Sequence, residues 1–416
     1  MARVSAFPGI HFQPQLVALE SVLAPPFDVI GPELQLELYG RAMQNVVRIE
    51  LGRDFDADVP GERDRYTRAR DHLRVWLQEG VLVQDPEPSL YIHRHSFRPP
   101  GGGGPRQRLG CFAGVEPVPH QRREVLRHEL TMSAPREDRL HLLQATRTQT
   151  SPVFLLYQGR PEVTYELEQL SAAAPPLAEA VVDGEYGPER HQLWRVSDEA
   201  PLQRITSALS STRLFIADGH HRYETALNTK LDRVLALLAP LEDDANVILP
   251  THRVVPDARL QSSALGEDLK RRGWQDENCG TLAEGLTRIA SLRTSSHAFG
   301  IAGTEGQRVV ARPRAESVPS PRQRLDVSVL EQEILEPLLG VTPRDAEAGR
   351  LIYARDPEEA LELALSRDGV AFLVNPPTAV EMAAVADADE AMPQKSTYFF
   401  PKVPAGLVLM AVSWPS

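Results

Sequence analysis

The chain has 416 residues, of which 42% are hydrophobic and 25% are charged, as in an ordinary globular protein. Its formal net charge is −12, whereas general binding to nucleic acid requires a basic face. Its two cysteines, Cys111 and Cys279, are far apart and indicate neither a zinc ribbon nor a disulfide framework. No window approaches 18 apolar residues, and the N-terminus lacks a signal pattern. We therefore expect a cytoplasmic protein that binds neither nucleic acid nor membrane.

The predicted elements begin after irregular chain that ends near residue 30. Pro25-Pro26 forbid a helix at that point and force extended geometry on the residues that follow. A helix is predicted over residues 33–43, and an apolar run predicts a strand over residues 46–51. The charged, periodic stretch 61–80 predicts an amphipathic helix.

Alternation predicts a strand over residues 89–97, joined by a glycine-rich connection to a partner strand over residues 110–116. His93 and His95 face the same side of the first strand, which is a spacing that suits metal ligands. No third ligand of suitable spacing stands near them in the sequence. We therefore assign no metal to this strand.

Helices and strands alternate through the rest of the chain, which predicts a mixed α/β protein. Two regions are expected, 1–240 and 241–416. The helix that begins near residue 223 is predicted to continue to about residue 238. The other predicted elements are a helix over 134–147, strands over 151–157, 181–182 and 191–196, a helix over 202–210, and strands over 246–249, 370–374 and 403–412.

The most distinctive stretch is Ile-Ala-Asp-Gly-His-His-Arg-Tyr-Glu-Thr-Ala-Leu, residues 216–227. It predicts the end of a buried strand, a turn at Asp218-Gly219, and the start of a helix. Backbone N–H groups and the dipole at a helix start bind anions, above all phosphate. Arg222 adds a planar, always-charged fork. The alternative is ordinary turn chemistry, in which Asp218 only caps the helix and the histidines are solvated.

This signature resembles the hallmark of an uncharacterised prokaryotic family, domain-of-unknown-function family 1015 (DUF1015). Further motifs of the family follow in one order, although the family usually has a tyrosine where this chain has Phe27. They are the stretches 24–30 (APPFDVI), 128–131 (HELT), 138–140 (DRL), 151–154 (SPVF), 249–253 (LPTHR) and 392–402 (MPQKSTYFFPK).

Gly219-His220-His221-Arg222 is also similar to a turn of the ParB/sulfiredoxin superfamily, which includes free-serine kinases. In that superfamily the turn holds nucleotide phosphates at a helix start. The resemblance implies a ParB/sulfiredoxin-like nucleotide-binding core with large insertions and a second α/β unit. It also implies phosphoryl transfer from ATP or ADP, with magnesium, to a small hydroxylated molecule such as serine.

The resemblance assigns roles to three groups of residues. The catalytic candidates are Asp218, as a magnesium ligand or as the base, His220, and the alternative bases Asp28 and Glu50. The candidates for binding phosphate or nucleotide are Gly219, His221, Arg222, His252, Arg253, Lys395, Ser396 and Thr397. A further polar group that is expected to meet the signature consists of His128, Glu129 and Arg139.

Two alternatives stay open. The first is a nucleotide-binding regulator that transfers no phosphate, and the second is a metal-dependent hydrolase that uses Asp218, His220 and His221. Neither a Walker loop nor a protein-kinase signature is present. We expect a small-molecule substrate as the partner, with a homodimer left open. Lysine occurs at only four positions in the chain, and two of these, Lys395 and Lys402, lie within eight residues.

Overall fold

The computed structural model describes residues 1–129, 134–258, 262–315 and 320–413. Two compact units are present: unit 1 consists of Met1–Asn246 and Pro401–Ser416, and unit 2 of Val247–Phe400. Both units contain sheets and helices, so the expected mixed α/β class is confirmed. Within the described residues, no helix is both long enough and apolar enough to cross a membrane.

The strands of unit 1 contribute to a large mixed sheet and to a smaller antiparallel one. They are β1 (Val4–Ser5), β2 (Gly9–Phe12), β3 (Leu82–Gln84), β4 (Leu90–Phe97), β5 (Arg106–Val115), β6 (Val125–Leu126), β7 (Thr148–Gln149), β8 (Val153–Tyr157), β9 (Ala178–Gly184), β10 (Gly187–Val196), β11 (Leu214–Asp218) and β12 (Val234–Pro240). The large sheet has the order β6-β11-β8-β12-β5-β4-β10-β9, and β1 pairs with β5. The pairs β11–β6 and β12–β8 are parallel, and the other pairs are antiparallel.

The helices of unit 1 are α1 (Leu19–Val22), α2 (Pro32–Arg41), α3 (Val47–Glu50), α4 (Arg65–Gln78), α5 (Ala134–Thr146), α6 (Pro161–Ala173), α7 (Glu199–Leu209) and α8 (His220–Asn228). Helix α4 begins at Arg65, four residues after the predicted start, because the side chain of Asp64 accepts hydrogen bonds from the backbone N–H groups of Tyr66 (3.0 Å) and Thr67 (2.8 Å). Its apolar face buries Leu73 and Trp76.

Three predictions for unit 1 are wrong. Phe27–Val29 form a 3-10 turn instead of the extended chain expected after Pro25-Pro26. The predicted strand 46–51 contains the helix α3 (Val47–Glu50) instead. Asn45 accepts a hydrogen bond from Val47 N (3.0 Å), and so short an apolar run fits either period. The helix that was predicted to reach residue 238 ends at Asn228. Lys230 has a φ of 55°, which a right-handed helix does not accommodate, and the apolar run that follows is the central strand β12 between β8 and β5.

The last strand of the chain, Leu409–Ala411, belongs to the small sheet of unit 1. It lies between β2 and β7 and pairs with both in antiparallel fashion. The chain therefore differs from the predicted division into 1–240 and 241–416. Unit 1 extends to Asn246 and also includes the last residues of the chain. The sequence analysis did not predict this, because strand pairing joins partners that are distant in sequence.

Unit 2 contains a six-stranded antiparallel sheet, and a separate pair is formed by β13 (Val247–Leu249) and β20 (Tyr398–Phe400). The strands of the larger sheet are β14 (His252–Val255), β15 (Gln275–Cys279), β16 (Ser296–Gly303), β17 (Gly306–Pro313), β18 (Ile352–Ala354) and β19 (Val370–Val374), in the order β15-β17-β16-β19-β14-β18. The helices are α9 (Ser262–Arg271), α10 (Leu282–Leu292), α11 (Asp326–Leu330), α12 (Glu336–Leu339), α13 (Pro357–Ser366) and α14 (Ala379–Asp387).

Alternate residues of the strands in unit 2 pack into two apolar layers. Phe299 and Phe372 belong to one layer, and their neighbours Ala298 and Ala371 belong to the other. This alternation is the period of two that a strand imposes on its side chains. The sheet of unit 2 is therefore buried on both faces.

Candidate functional site

The signature forms the predicted strand, turn and helix in unit 1. Strand β11 ends at Asp218, Gly219 takes up the left-handed conformation (φ 91°, ψ 27°), and α8 begins at His220. No side chain of the described residues caps this helix start. The strand, turn and helix start are those that the sequence predicted, and their role in anion binding stays a prediction.

The carboxylate of Asp218 lies between two cations. Arg222 Nη2 donates to Oδ2 (2.8 Å), and Lys402 Nζ contacts Oδ1. Burial by itself would raise the pKa of Asp218, but Lys402 and Arg222 hold it well below its usual range. Asp218 is therefore ionised at neutral pH and is a weak proton acceptor.

Lys402 was missed as a site residue by the sequence reasoning. Lys402 is far from the signature in sequence, but it belongs to unit 1, as Asp218 does. The scarcity of lysine in this arginine-rich chain was the signal that marked it. That signal did not specify Asp218 as the partner.

His220 and His128 pack edge to face, with their ring centroids 4.6 Å apart. Burial lowers the pKa of His220 well below its usual range and that of His128 to about 4, so both imidazoles are neutral at pH 7. His128 is hydrogen-bonded to the backbone of Ile216, and His220 Nε2 is buried without a hydrogen bond to any residue of the described ranges. His128 thus joins the signature as predicted. Glu129 follows it, half-buried, and residues 130 and 131 of this motif lie outside the described residues.

A cleft of about 430 Å³, including space open to solvent, adjoins the turn. Arg222 reaches it while its Nη1 atom donates to the carbonyl oxygen of Pro152. The cleft contains two arginines and one buried carboxylate beside apolar side chains. Its lining consists of Glu50, Arg139, Leu142, Leu143, Thr148, Gln149, Thr150, Ser151, Arg222, Thr225, Ala226 and Leu231.

Glu50 is only 1% exposed and is held in the cleft by two neighbours. Arg139 Nη1 donates to the backbone oxygen of Glu50 (2.9 Å) and lies 3.3 Å from Oε1, and the hydroxyl of Thr150 donates to Oε2. The guanidinium of Arg139 also lies 4.0 Å from the ring centroid of Phe27. Two residues that were predicted separately, Glu50 and Arg139, are therefore in direct contact.

Asp28 is placed differently from Glu50. It is exposed, on the 3-10 turn Phe27–Val29, and it is not one of the residues that line the cleft. Ser151, which was not predicted as a site residue, does line the cleft, and its hydroxyl is buried without a hydrogen bond to any described residue. The geometry therefore places Glu50 nearer than Asp28 to the cleft in which a ligand would bind.

Of the remaining predicted residues, His221 follows His220 in α8 of unit 1 and is half-buried, and the others lie in unit 2. Burial, followed by the charge of Arg253, lowers the pKa of His252 to about 4, and Val374 N donates to its Nδ1 (3.3 Å). Burial lowers the pKa of Arg253 to about 10, and its guanidinium donates to the carbonyl oxygens of Thr251 and Gln394. The side chains of His252 and Arg253 therefore bind backbone groups of unit 2.

The segment 395–397 of unit 2 carries the other predicted polar residues. Lys395 is exposed with a φ of 56°, and the buried hydroxyl of Ser396 donates to the carbonyl oxygen of Pro393. Thr397 is half-buried. The predicted role of this segment in phosphate binding stays a prediction.

The fold and the site together define a mixed α/β protein with an uncapped strand–turn–helix beside a charged cleft. The chain belongs to the family described as protein of unknown function (DUF1015), whose model matches residues 4–328. The resemblance that the motifs indicated is thereby confirmed. A search of curated proteins gives no match.

Several solved structures resemble the chain distantly. A free serine kinase in complex with AMP is 14% identical and covers 68% of this chain and 89% of its own, with a TM-score of 0.36. A conserved hypothetical protein from Pyrococcus furiosus is 14% identical; the match covers 68% of this chain and 92% of that protein, with a TM-score of 0.34. SbnI with C-terminal truncation from Staphylococcus aureus is 11% identical; the match covers 72% of this chain and 87% of that protein, with a TM-score of 0.35. Likenesses of this strength say nothing about chemistry.

Proposed function

We propose that this protein is a phosphotransferase that uses ATP or ADP, with magnesium, to phosphorylate a small hydroxylated molecule such as free serine. One observation carries the proposal: Arg222 belongs both to the anion-binding turn and to the cleft that contains Glu50. A phosphate at the turn and a hydroxyl in the cleft would therefore meet at one guanidinium. The named free serine kinase adds no argument, because that likeness is too weak.

The turn supplies what a phosphoryl group requires, namely positioning and neutralisation of charge. The N–H groups at the start of α8 would bind phosphate oxygens. Ionised Asp218 would hold the magnesium ion, which supplies further neutralisation of the phosphates when bound. Its present partners, Lys402 and Arg222, would then turn toward the phosphate oxygens.

The cleft supplies the base. Glu50 would take the proton of the acceptor hydroxyl while that oxygen bonds to the terminal phosphorus and the bond to the nucleoside diphosphate or monophosphate breaks. Arg139 and Thr150 fix the orientation of this carboxylate. The hydroxyl of Ser151 is available for the acceptor.

The metal-dependent hydrolase is less well supported. It requires Asp218, His220 and His221 to converge on one ion. Among the described residues, a group with metal-ligand spacing is formed instead by His95, Glu189 and His191.

The test is consumption of ATP and ADP in the presence of a panel of hydroxylated amino acids and sugars. Glu50→Gln should lower kcat at least 100-fold, which is the usual contribution of a general base, while nucleotide still raises Tm. Asp28→Asn is the matched control and should change kcat less than threefold. If Asp28→Asn shows the large loss instead, the transfer stands and the base is Asp28.

Two outcomes would contradict the proposal. A rise in Tm with nucleotide but no turnover of any acceptor would indicate a nucleotide-binding regulator. The absence of both turnover and a nucleotide-induced rise in Tm would remove the nucleotide site altogether, since a ligand that binds the native state must stabilise it.

A further inference from the structure

The large sheet of unit 1 carries a second cluster of polar residues, built from two short sequence motifs. His-Arg-His (93–95) lies on β4, and Glu-Arg-His (189–191) lies on the neighbouring strand β10. The register pairs His95 with His191. Because the period of a strand is two, His93, His95, Glu189 and His191 all project from one face of the sheet.

We propose that His95, Glu189 and His191 bind a divalent transition-metal ion. Two imidazoles and one carboxylate are a ligand set that suits Zn²⁺ or Fe²⁺ and leaves further coordination positions open, whereas Mg²⁺ and Ca²⁺ prefer oxygen ligands alone. This inference does not rest on the proposed phosphotransferase activity.

The distances fit such an ion. His95 Nε2 lies 2.8 Å and His191 Nε2 lies 4.0 Å from Glu189 Oε2, and all three ligand atoms are within 4.8 Å of one another. An ion bound at about 2.0–2.2 Å from each atom separates its ligand atoms by roughly 3–4 Å. Side-chain shifts of less than about 1 Å would therefore complete the site.

His191 gives the clearest sign of a missing ligand. Its Nε2 atom is buried and has no hydrogen-bond partner among the residues that the structure describes. Its Nδ1 atom lies 3.1 Å from His93 Nε2. If His191 donates this hydrogen bond, the lone pair of Nε2 faces Glu189, as in metal sites in which an outer residue orients the ligating imidazole.

Arg108, which is buried beside the cluster, sets the tautomer of His95. Arg108 Nη2 lies 3.2 Å from His95 Nδ1, which favours a proton on His95 Nε2. An ion at Nε2 requires that proton to move to Nδ1, so the guanidinium of Arg108 must turn away from the ring. The charged and titratable groups around the ion are His93, His95, Arg108, Glu185, Glu189 and His191.

Titration of the chelator-treated full chain with Zn²⁺ and with Co²⁺ tests the site. We expect one equivalent to bind, with visible Co²⁺ absorption. Glu189→Gln and His191→Gln should each weaken Zn²⁺ binding at least tenfold. His141→Gln, which changes an exposed histidine of α5, is the matched control and should leave it unchanged.

A further variant tests the sign of the electrostatics. Arg108→Met removes a buried like charge and the donor to His95, so it should tighten Zn²⁺ binding about tenfold. If any variant fails to fold, the stoichiometry and the Co²⁺ spectrum of the unaltered chain decide. The proposal would be overturned if the unaltered chain bound neither metal stoichiometrically. It would also be overturned if Glu189→Gln and His191→Gln bound Zn²⁺ as tightly as the unaltered chain does.

Discussion

Asp218 is the residue whose charge organises the turn. It neutralises Arg222 and Lys402 at the start of α8, where the helix dipole adds further positive potential. A carboxylate so placed holds both cations near the helix start while no anion is bound. Under the proposed function a phosphate would replace the carboxylate as their partner, and Arg222 and Lys402 would bind it.

Lys402→Met is expected to destabilise the protein by about 1–3 kcal/mol, because it removes a charged hydrogen bond from a carboxylate that is largely buried. The pKa of Asp218 in the folded state lies below its unfolded value of about 3.9. Its stabilising contribution is therefore complete above that pH and is lost as the pH falls toward the folded pKa. Without Lys402 the folded pKa rises, so stability should fall less steeply between about pH 5 and pH 2.

Urea unfolding of this variant across that pH range provides the measurement. The control is Lys230→Met, since Lys230 is exposed, and it should change the free energy of unfolding by no more than about 0.5 kcal/mol. Equal effects of the two substitutions would show that the contact between Lys402 and Asp218 does not contribute.

At the scale of elements, the connection from β11 to α8 depends on Gly219. Its φ of 91° is a conformation that side chains with a Cβ rarely adopt, and an added Cβ would lie 3.1 Å from Arg222 Nε. The sharp turn lets the strand deliver Asp218 and the helix deliver Arg222 to the same point. Gly219 is therefore the single residue between the end of β11 and the start of α8.

Gly219→Ala should consequently destabilise the protein by about 1–3 kcal/mol and weaken nucleotide binding. Gly40→Ala is the matched control: Gly40 lies in α2, its φ is not positive, and no atom lies within 4 Å of the added Cβ. That change should be neutral or should stabilise α2 by roughly 0.5–1 kcal/mol. Chemical denaturation gives both values, and a Gly219→Ala protein as stable as Gly40→Ala would refute the strained turn.

At the scale of the whole molecule, the chain closes unit 1 with its own C-terminal segment. Leu409 is fully buried and pairs with Ile10, while Lys402 in the same segment reaches Asp218. The turn of the signature therefore depends on Lys402, which follows unit 2 in the chain. In sequence, unit 2 lies between the two parts of unit 1. It forms its own sheet and its own apolar layers.

Leu409→Ala should cost about 2–5 kcal/mol through the cavity that it leaves, and hydrogen exchange should show faster exchange in β2 and β7. Val380→Ala, at a side chain that is 59% exposed on α14, should change stability by no more than about 0.5 kcal/mol. Unchanged protection of β2 and β7 in Leu409→Ala would argue against the placement of the last strand in unit 1.

The sequence by itself determined the α/β class and the strand, turn and helix of the signature. These depend on local properties: an apolar run of strand length, a glycine at a sharp turn, and helix-forming residues after it. The same local reasoning failed for residues 46–51 and 234–240, because short apolar runs do not show the periodicity that separates a helix from a strand.

Only the tertiary structure decided which distant residues meet. Lys402 and Asp218 are 184 residues apart, and Glu189 and His95 are 94 residues apart. It also placed Glu50 in the cleft and left Asp28 on an exposed turn. Such pairs are set by strand register and packing, which no single stretch of sequence specifies, whereas the turn at Gly219 is specified by the conformational freedom of one residue.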